Sequence, residues 1–439
     1  TAMPLINVDY RETESLNGKW SIIIDPYQMG YYDYRYQPSA NGFFKNEKPQ
    51  NRWERVEYSF DTDLQLNVPG DWNSQKESLY LYEGTIWYQN YFQVKPERGE
   101  RLFLYFGAVN YHARVYLNGE KLGEHIGGFT PFYFEITDQV KSGENDLILM
   151  VDNTRQLHAV PTVNTDWFNY GGITRRVTLV RCKQTFIRDY MIQLDPENSK
   201  QIKGFVQLDG PEIPESVQVL IPEAGIKETA KTDANGHAVI QFAHDLELWS
   251  PENAKLYSVV IQTHSDTLTD KIGFRSIRTK GSSILLNDEP VYLRGICIHE
   301  EAAYEDGSRA FAEEHAQTLL GWAKDLGCNF VRLAHYPHNE WMVRKADELG
   351  LMVWSEIPVY WTIQWQNQQT YENAENQLTE MINRDKNRAS VILWSMANET
   401  PLSEPRLDFL TSLAQQARAL DPTRLLTAAM ERHYTDEYT

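Results

Sequence analysis

From about residue 279 the sequence alternates short apolar runs with segments of helical spacing, and few folds can accommodate that pattern. The predicted strands are residues 291–298, 330–334, 351–354, 391–394 and 425–429. A first helix is predicted from the apolar residues Ala316, Leu319, Leu320, Ala323 and Leu326. It ends at Gly327, and a second helix ends in the same way at Gly350. Strands that alternate with helices predict a parallel α/β sheet, either a β/α barrel or a doubly wound sheet.

The fourth of these strands ends in polar residues that are candidates for a functional role. It begins with Val391, Ile392 and Leu393 and runs on to Asn398 and Glu399. Removing a carboxylate from water costs several kcal/mol unless the group is paired or hydrogen-bonded. Glu399 is therefore either a compensated structural group or a catalytic one. In a β/α barrel, catalytic groups lie at the C-terminal ends of the strands.

Two long stretches carry a family resemblance. Residues 385–399 read DKNRASVILWSMANE, and residues 329–337 and 347–354 read NFVRLAHYP and DELGLMVW. In this order they resemble the two characteristic segments of family 2 glycoside hydrolases, the group of β-galactosidases and β-glucuronidases. Leu333-Ala334 stands where small polar residues or Cys are more usual. The resemblance extends over essentially the whole chain and implies a (β/α)8 TIM barrel. A doubly wound sheet would in addition show a Gly-rich phosphate loop after its first strand.

The chain before residue 279 is rich in predicted strands. In residues 1–182, Leu102, Leu104 and Phe106 alternate with positions predicted to be exposed, and Asn118-Gly119 predicts a hairpin turn. This part resembles the family's jelly-roll sugar-binding domain. Residues 183–278 predict an immunoglobulin-like β-sandwich that acts as a spacer. The expected architecture is therefore multidomain: a jelly-roll β-sandwich, an immunoglobulin-like β-sandwich, and a partial TIM barrel over residues 279–439.

The resemblance implies a retaining exo-β-glycosidase with Glu399 as general acid/base. Glycoside hydrolysis typically uses two carboxylates, which lie ~5–5.5 Å apart in retaining enzymes. The acid needs a raised pKa, and burial near a second carboxylate would provide it. Asn398 matches the family residue that binds the sugar 2-hydroxyl.

Four further residues are expected to contact the sugar. Arg332 lies within the second strand and needs a carboxylate partner, for which the nucleophile is a natural candidate. His299 and His335 follow the first and second strands, and Asp166 matches an acidic residue that reaches the sugar from the first domain. Glu356, after the third strand, is a weaker candidate. No metal or other cofactor is expected, because the adjacent residues His299, Glu300 and Glu301 point in different directions.

The chain departs from the family where the nucleophile is concerned. Family members carry the nucleophilic Glu near the seventh strand, whereas this sequence stops after the fifth. Glu431 and Glu437 follow the fifth strand too closely. The nucleophile is therefore expected beyond Thr439, and a chain ending there should be inactive. The stretch of residues 300–303, Glu-Glu-Ala-Ala, is less acidic than in glucuronidases, so the sugar stays open between a β-glucuronide and a β-galactoside. The rival hypothesis is a non-catalytic carbohydrate-binding protein with a degenerate or truncated barrel.

Composition limits the partners and the compartment. The 439 residues carry a formal charge of −19, which argues against nucleic-acid and anionic-membrane partners. No apolar stretch reaches 18 residues, so no transmembrane helix is expected. Cys297 and Cys328 are predicted to be buried thiols, and with Cys182 they form no disulfide framework. We expect a soluble protein that acts on carbohydrate. We recognise no signal peptide at the start of this sequence, and the compartment stays open between the cytoplasm, the periplasm and secretion. A homo-oligomeric state is open as well.

Overall fold

The computed structural model describes residues 3–32, 35–37, 50–56, 58–302 and 306–431, and Ala303 and Glu437 lie outside these ranges. Among these described residues, the first part of the chain forms ten strands and one short α-helix. They are β1 (Glu12–Ser15), β2 (Gly18–Ile24), β3 (Gln65–Val68), α1 (Trp72–Gln75), β4 (Thr85–Val94), β5 (Glu100–Phe106), β6 (His112–Leu117), β7 (Glu120–Ile126), β8 (Phe132–Glu135), β9 (Gly143–Asp152) and β10 (Val177–Lys183).

These strands form a β-sandwich of two antiparallel sheets. One sheet has the order β1-β10-β5-β8 and the other β3-β2-β4-β9-β6-β7. Their facing apolar side chains, such as Trp20, Leu104 and Val151, form one core. The predicted hairpin is confirmed, because Asn118 and Gly119 join β6 to β7 with φ angles of 52° and 87°. Both positive angles fit a type I′ turn.

The middle part of the chain forms a second, smaller sandwich of seven strands. They are β11 (Phe186–Asp195), β12 (Asn198–Asp209), β13 (Ser216–Ile221), β14 (Ile226–Lys231), β15 (His237–Ala243), β16 (Tyr257–Gln262) and β17 (Thr267–Ile272). They form sheets of order β11-β12-β15 and β14-β13-β16-β17. Seven antiparallel strands in two sheets match the predicted immunoglobulin-like architecture.

The last part contains the parallel sheet. A small antiparallel sheet precedes it, and β18 crosses the predicted boundary at residue 278. The elements are β18 (Ile277–Lys280), β19 (Ser283–Leu286), β20 (Glu289–Pro290), β21 (Gly295–Ile298), β22 (Glu301–Ala302), β23 (Ser308–Arg309), α2 (Glu313–Asp325), β24 (Phe330–Leu333), α3 (Glu340–Leu349), β25 (Met352–Glu356), α4 (Gln368–Asp385), β26 (Val391–Thr400), α5 (Glu404–Leu420) and β27 (Leu425–Met430).

Five of these strands form one parallel sheet in the order β21-β24-β25-β26-β27. A helix connects each strand of this sheet to the next one. This is the arrangement of a β/α barrel, as predicted. Both helix-ending glycines are left-handed, with φ of 78° at Gly327 and 69° at Gly350. Strand β26 is longer than predicted because its polar end continues to pair with β27 through Asn398 and Thr400.

Two sequence expectations about burial are wrong, and one residue counted within a predicted helix lies just outside it. Phe103 and Tyr105 were expected to be exposed, but both are buried because Leu5, Val8 and Phe186 cover the outer face of β5. Leu326 is 70% exposed, since the helix has already ended there. Cys297 is exposed on the first strand of the parallel sheet, Cys328 is half-buried, and only Cys182 is buried.

A buried ion pair joins the first sandwich to the parallel sheet. Arg175 donates to Glu300 over 3.0 Å and to the backbone oxygen of Pro337 over 2.7 Å. Burial of Glu300 works against its charge, but Arg175 and Arg309 lower the pKa of this carboxyl below its ordinary value. The contact holds the segment that carries Asp166 against the C-terminal ends of β21 and β24. In the described part of the chain, no helix has both the length and the apolar character that crossing a membrane requires.

Candidate active site

Glu356, the last residue of β25, is the centre of a buried hydrogen-bond network. Its carboxylate is 2.9 Å from Arg332 Nη2, 2.7 Å from His335 Nδ1 and 3.0 Å from Trp354 Nε1. The side chain of Glu356 has no solvent exposure, so these three partners stabilise its charge. Strands β24 and β25 are parallel neighbours in register, with Arg332 beside Trp354, which brings the two ends together.

Arg332 thus has a carboxylate partner, as its position requires, and among the described residues that partner is Glu356. The nucleophile, which we expected in this role, is itself expected beyond Thr439, so its contact with Arg332 stays a prediction. Arg332 is also only partly buried, with 15% of its side chain exposed. Its Nη2 also donates to Oδ1 of Asn398 over 2.6 Å. That bond fixes the orientation of the Asn398 amide, which is itself buried, and leaves the Nδ2 donor for another acceptor.

Glu399 follows Asn398 at the end of β26 and faces solvent. Among the described residues Glu399 is thus exposed, whereas we expected it to be buried. The second carboxylate is expected beyond Thr439, so its place beside Glu399 stays a prediction. The φ of 48° at Glu399 lies in the left-handed region, and so does the φ of 51° at Trp361. Trp361 Nε1 donates to Glu399 Oε2 over 3.1 Å. Backbone bonds from Asn398 to Val359 and from Trp361 to Asn398, of 2.8 and 3.0 Å, hold the two segments together.

His299, His335 and Asp166 meet at the same end of the sheet. One ring nitrogen of each histidine and one carboxylate oxygen of Asp166 lie within 4.8 Å of one another. The His299 and His335 ring centroids are 5.4 Å apart. Burial, and then the charge of His335, lower the pKa of His299, while Asp166 opposes this shift. The structure thus brings the first-domain residue Asp166 to the barrel, as the sequence resemblance implied.

Aromatic side chains lie beside the two histidines. The Trp167 ring lies 6.2 Å from His299, 6.1 Å from His335 and 4.9 Å from Tyr360, measured between centroids. Burial, followed by a hydrogen bond to Asp166 and the nearby charge of Glu399, raises the pKa of the Tyr360 hydroxyl. Tyr360 is therefore a neutral donor that lies between Asp166 and Glu399. An open carboxylate beside donors and flat rings has the chemistry of a sugar site.

Sequence reasoning placed all six predicted site residues at one end of the sheet but missed their support. Glu356 was ranked low, because several carboxylates follow strands and the sequence does not show which one is paired. Trp361, Tyr360 and Trp167 were not proposed at all. Tyr360 and Trp361 follow the third strand by a few residues, and Trp167 adjoins Asp166. Their positions beside predicted site residues were the available signal.

Three models of protein-family domains match consecutive parts of the chain. The sugar binding domain of glycosyl hydrolases family 2 matches residues 13–183. A second model, described as glycosyl hydrolases family 2, matches residues 185–275. The TIM barrel domain of the same family matches residues 277–438.

Individual relatives agree with this match. A β-glucuronidase of Bacteroides fragilis is 31% identical over 425 residues, covering 86% of this chain and 60% of the relative. A β-galactosidase of Thermoanaerobacter pseudethanolicus is 30% identical over 363 residues, covering 78% of this chain and 48% of the relative. The chain thus spans about half of the length of such relatives.

Solved structures have the same fold. The β-glucuronidase of Bifidobacterium dentium, complexed with coumarin-3-O-glucuronide, superposes with a TM-score of 0.82 at 28% identity. The alignment covers 99% of this chain and 77% of that one. Together with the three consecutive family matches and the relatives above, this similarity shows that the chain belongs to glycosyl hydrolases family 2.

Proposed function

We propose that the complete protein is a retaining exo-β-glycosidase that removes a terminal β-linked sugar, a β-glucuronide or a β-galactoside. The observation that carries this proposal is the position of Glu399. It is an exposed carboxylate at the C-terminal end of a parallel strand, next to a buried Asn398 that Arg332 orients. An acid that protonates a leaving oxygen must reach the substrate, and this position allows it.

In this proposal the residues around Glu399 divide the work. Glu399 protonates the glycosidic oxygen and then activates water. Asn398 Nδ2 donates to the sugar hydroxyl next to the anomeric carbon. Asp166, His299 and His335 bind the hydroxyls farther from the scissile bond, and Trp167 provides an apolar ring face beside them. Arg332 and Glu356 hold Asn398 and His335 in place rather than reacting themselves.

The second carboxylate is proposed to come from residues that this sequence does not include. Glu356 cannot act as the nucleophile, because its oxygens are already bonded to Arg332, His335 and Trp354 in a buried position. The relatives are considerably longer than this chain. Reading the gene beyond Thr439 tests this step: a Glu at a later barrel strand supports it, and its absence favours a carbohydrate-binding protein without hydrolysis.

The central experiment is Glu399→Gln in the complete protein. Gln keeps the shape but cannot protonate the leaving group. Hydrolysis of alkyl glycosides should fall by about 10²–10⁴-fold, while activated aryl glycosides lose less because they need less protonation. Glu404→Gln, at an exposed position nearby on α5, is the control. Equal losses on both substrate types would reject Glu399 as the acid. An NMR assignment of the product anomer tests retention independently.

We also propose that residues 1–182, 183–278 and 279–439 are three domains with different roles. The first sandwich contributes Asp166 and Trp167 to the site, and the parallel sheet contributes the remaining residues. The middle sandwich supports the barrel through contacts such as the 2.7 Å ion pair between Asp189 and Lys386. Residues 183–278, produced alone and melting cooperatively, would support these boundaries.

A further inference from the structure

Three donor groups from three separate elements converge beside the proposed sugar site. Asp166 lies on the connection between β9 and β10, His299 follows β21, and His335 follows β24. One ligand atom from each lies within 4.8 Å of the other two. Two imidazoles and one carboxylate are a ligand set that binds first-row divalent ions such as Zn²⁺, Ni²⁺ and Cu²⁺.

Both imidazoles are held by one nitrogen and leave the other available. His335 Nδ1 bonds Glu356 Oε1 over 2.7 Å, and His299 Nδ1 lies 3.2 Å from the hydroxyl of Tyr336. Within the described ranges, no protein group bonds Nε2 of either ring. A carboxylate behind a ligating imidazole is a recurrent feature of metal sites, since it fixes the tautomer and makes the free nitrogen more basic. Glu356 occupies that position behind His335.

The size and charge of the cluster also fit one ion. Bonds of ~2.0–2.2 Å from zinc to nitrogen and oxygen place the donors about 3.3–3.6 Å apart around a tetrahedral ion. Ligand atoms up to 4.8 Å apart therefore need to approach by up to about 1.2–1.5 Å. The exposed Asp166 side chain can rotate towards the rings, and the two half-buried imidazoles can tilt about their Cβ–Cγ bonds. Asp166 is exposed, so an ion can enter from solvent, and the fourth position stays open to water. The rings of Trp167 and Tyr360 pack beside His335, with centroids 6.1 and 5.2 Å from its ring.

We propose that Asp166, His299 and His335 form a binding site for one divalent transition-metal ion. Because the proposed function assigns the same three side chains to the sugar, the ion and the sugar exclude each other. The site is then an inhibitory one: zinc or copper occupies the sugar pocket and blocks hydrolysis without taking part in it. This exclusion rests on the proposed function, whereas the binding of the ion does not.

Metal binding is tested on the complete protein without measuring activity. Isothermal titration with Zn²⁺ in a non-chelating buffer should give one site per chain at this cluster, and Co²⁺ should give a visible absorption band of a low-coordinate ion. Asp166→Asn, His299→Gln and His335→Gln should each weaken this binding at least tenfold. His112→Gln, which removes an imidazole lying 2.7 Å from Glu124 on another face, should not.

Each outcome decides the proposal. Unchanged zinc affinity in all three variants, or an absorption band that persists in them, overturns it. Asp166→Asn alters an exposed side chain, so it stays informative even if a histidine variant fails to fold. Glucuronic acid or galactose, whichever binds, should raise the apparent zinc Kd in proportion to its concentration. Zinc that binds the three residues without competing with the sugar would leave the metal site standing and reject the assignment of the sugar pocket.

Discussion

The indole Nε1 of Trp361 donates a hydrogen bond of 3.1 Å to Oε2 of Glu399. Both residues adopt the left-handed backbone conformation, which costs a non-glycine residue roughly 1–3 kcal/mol. The strain is sustained by backbone bonds that join Trp361 and Val359 to Asn398. This strained pair of segments fixes the direction of the Glu399 carboxylate, although the side chain faces solvent.

Replacing Trp361 with Phe should therefore impair catalysis more than binding. The aromatic ring remains, but the carboxylate loses the donor that orients it. We expect kcat to fall by about tenfold on substrates with poor leaving groups, with little change in KM. Trp322→Phe on α2, where 47% of the residue is exposed, is the matched control. An unchanged kcat, measured by steady-state kinetics, would show that the indole donor has no positioning role.

Glu356→Gln should destabilise the protein as well as inactivate it. The buried carboxylate compensates Arg332 and His335, and a Gln amide would place donors against donors. Removing one partner of a buried ion pair costs about 3–5 kcal/mol. Urea unfolding at pH 7 should show a loss of this size.

Glu348→Gln serves as the control for Glu356→Gln. Glu348 pairs with Lys345 over 2.8 Å, but 52% of its side chain is exposed. Exposed pairs contribute ~0–1 kcal/mol, so this variant should unfold almost as the parent does. If the two substitutions lower the free energy of unfolding equally, the burial of Glu356 does not determine its contribution to stability.

The sequence predicted the elements of the fold better than their surroundings. The parallel strands, the left-handed Gly327 and Gly350, and the Asn118-Gly119 hairpin depend on local patterns, and all are present. Burial depends on what lies across a face. Alternation along β5 could not show that residues from the chain start and from the second sandwich cover Phe103 and Tyr105.

The same distinction applies to the candidate site. Strand ends can be read from sequence, so Glu399, Arg332 and His335 were found. The pairing of Glu356 with Arg332 spans 24 residues and depends on the register of β24 and β25, which sequence pattern alone does not fix. Asp166 was reached only through family resemblance, because an isolated Asp in a loop resembles any turn residue.

His338 should make the protein sensitive to mild acid. Burial lowers its pKa to about 3; Glu300 opposes this, and Arg309 and Arg175 reinforce it. Its Nε2 bonds the backbone oxygen of Ala334 over 2.8 Å. An unfolded chain protonates this residue near its ordinary pKa of ~6.5, so below that pH the unfolded state binds more protons. Stability should therefore fall as the pH drops from 6.5 towards 3.

His338→Gln isolates this contribution. The Gln amide can keep a donor near the Ala334 oxygen but does not titrate. Between pH 7.5 and 5 the parent should lose about 2 kcal/mol of unfolding free energy through this one residue, and the variant should lack that part of the loss. His264→Gln, an exposed change between β16 and β17, should retain the full pH dependence. Parallel urea titrations at the two pH values provide the comparison.

Asp166→Ala should separate binding from stability. Asp166 reaches the barrel from the first sandwich, and its carboxylate lies near His299, His335 and the Tyr360 hydroxyl. Asp166 is exposed, so water can take its place beside the Tyr360 hydroxyl, and the melting temperature should stay within about 2 °C of the parent value. Losing a charged hydrogen-bond partner of the sugar should weaken inhibitor binding by about 10–100-fold. Asp138→Ala, at an exposed position of the same sandwich, should change neither quantity. Titration calorimetry with the monosaccharide product measures the affinity, and an Asp166→Ala variant that binds it as tightly as the parent would remove the first domain from the proposed site.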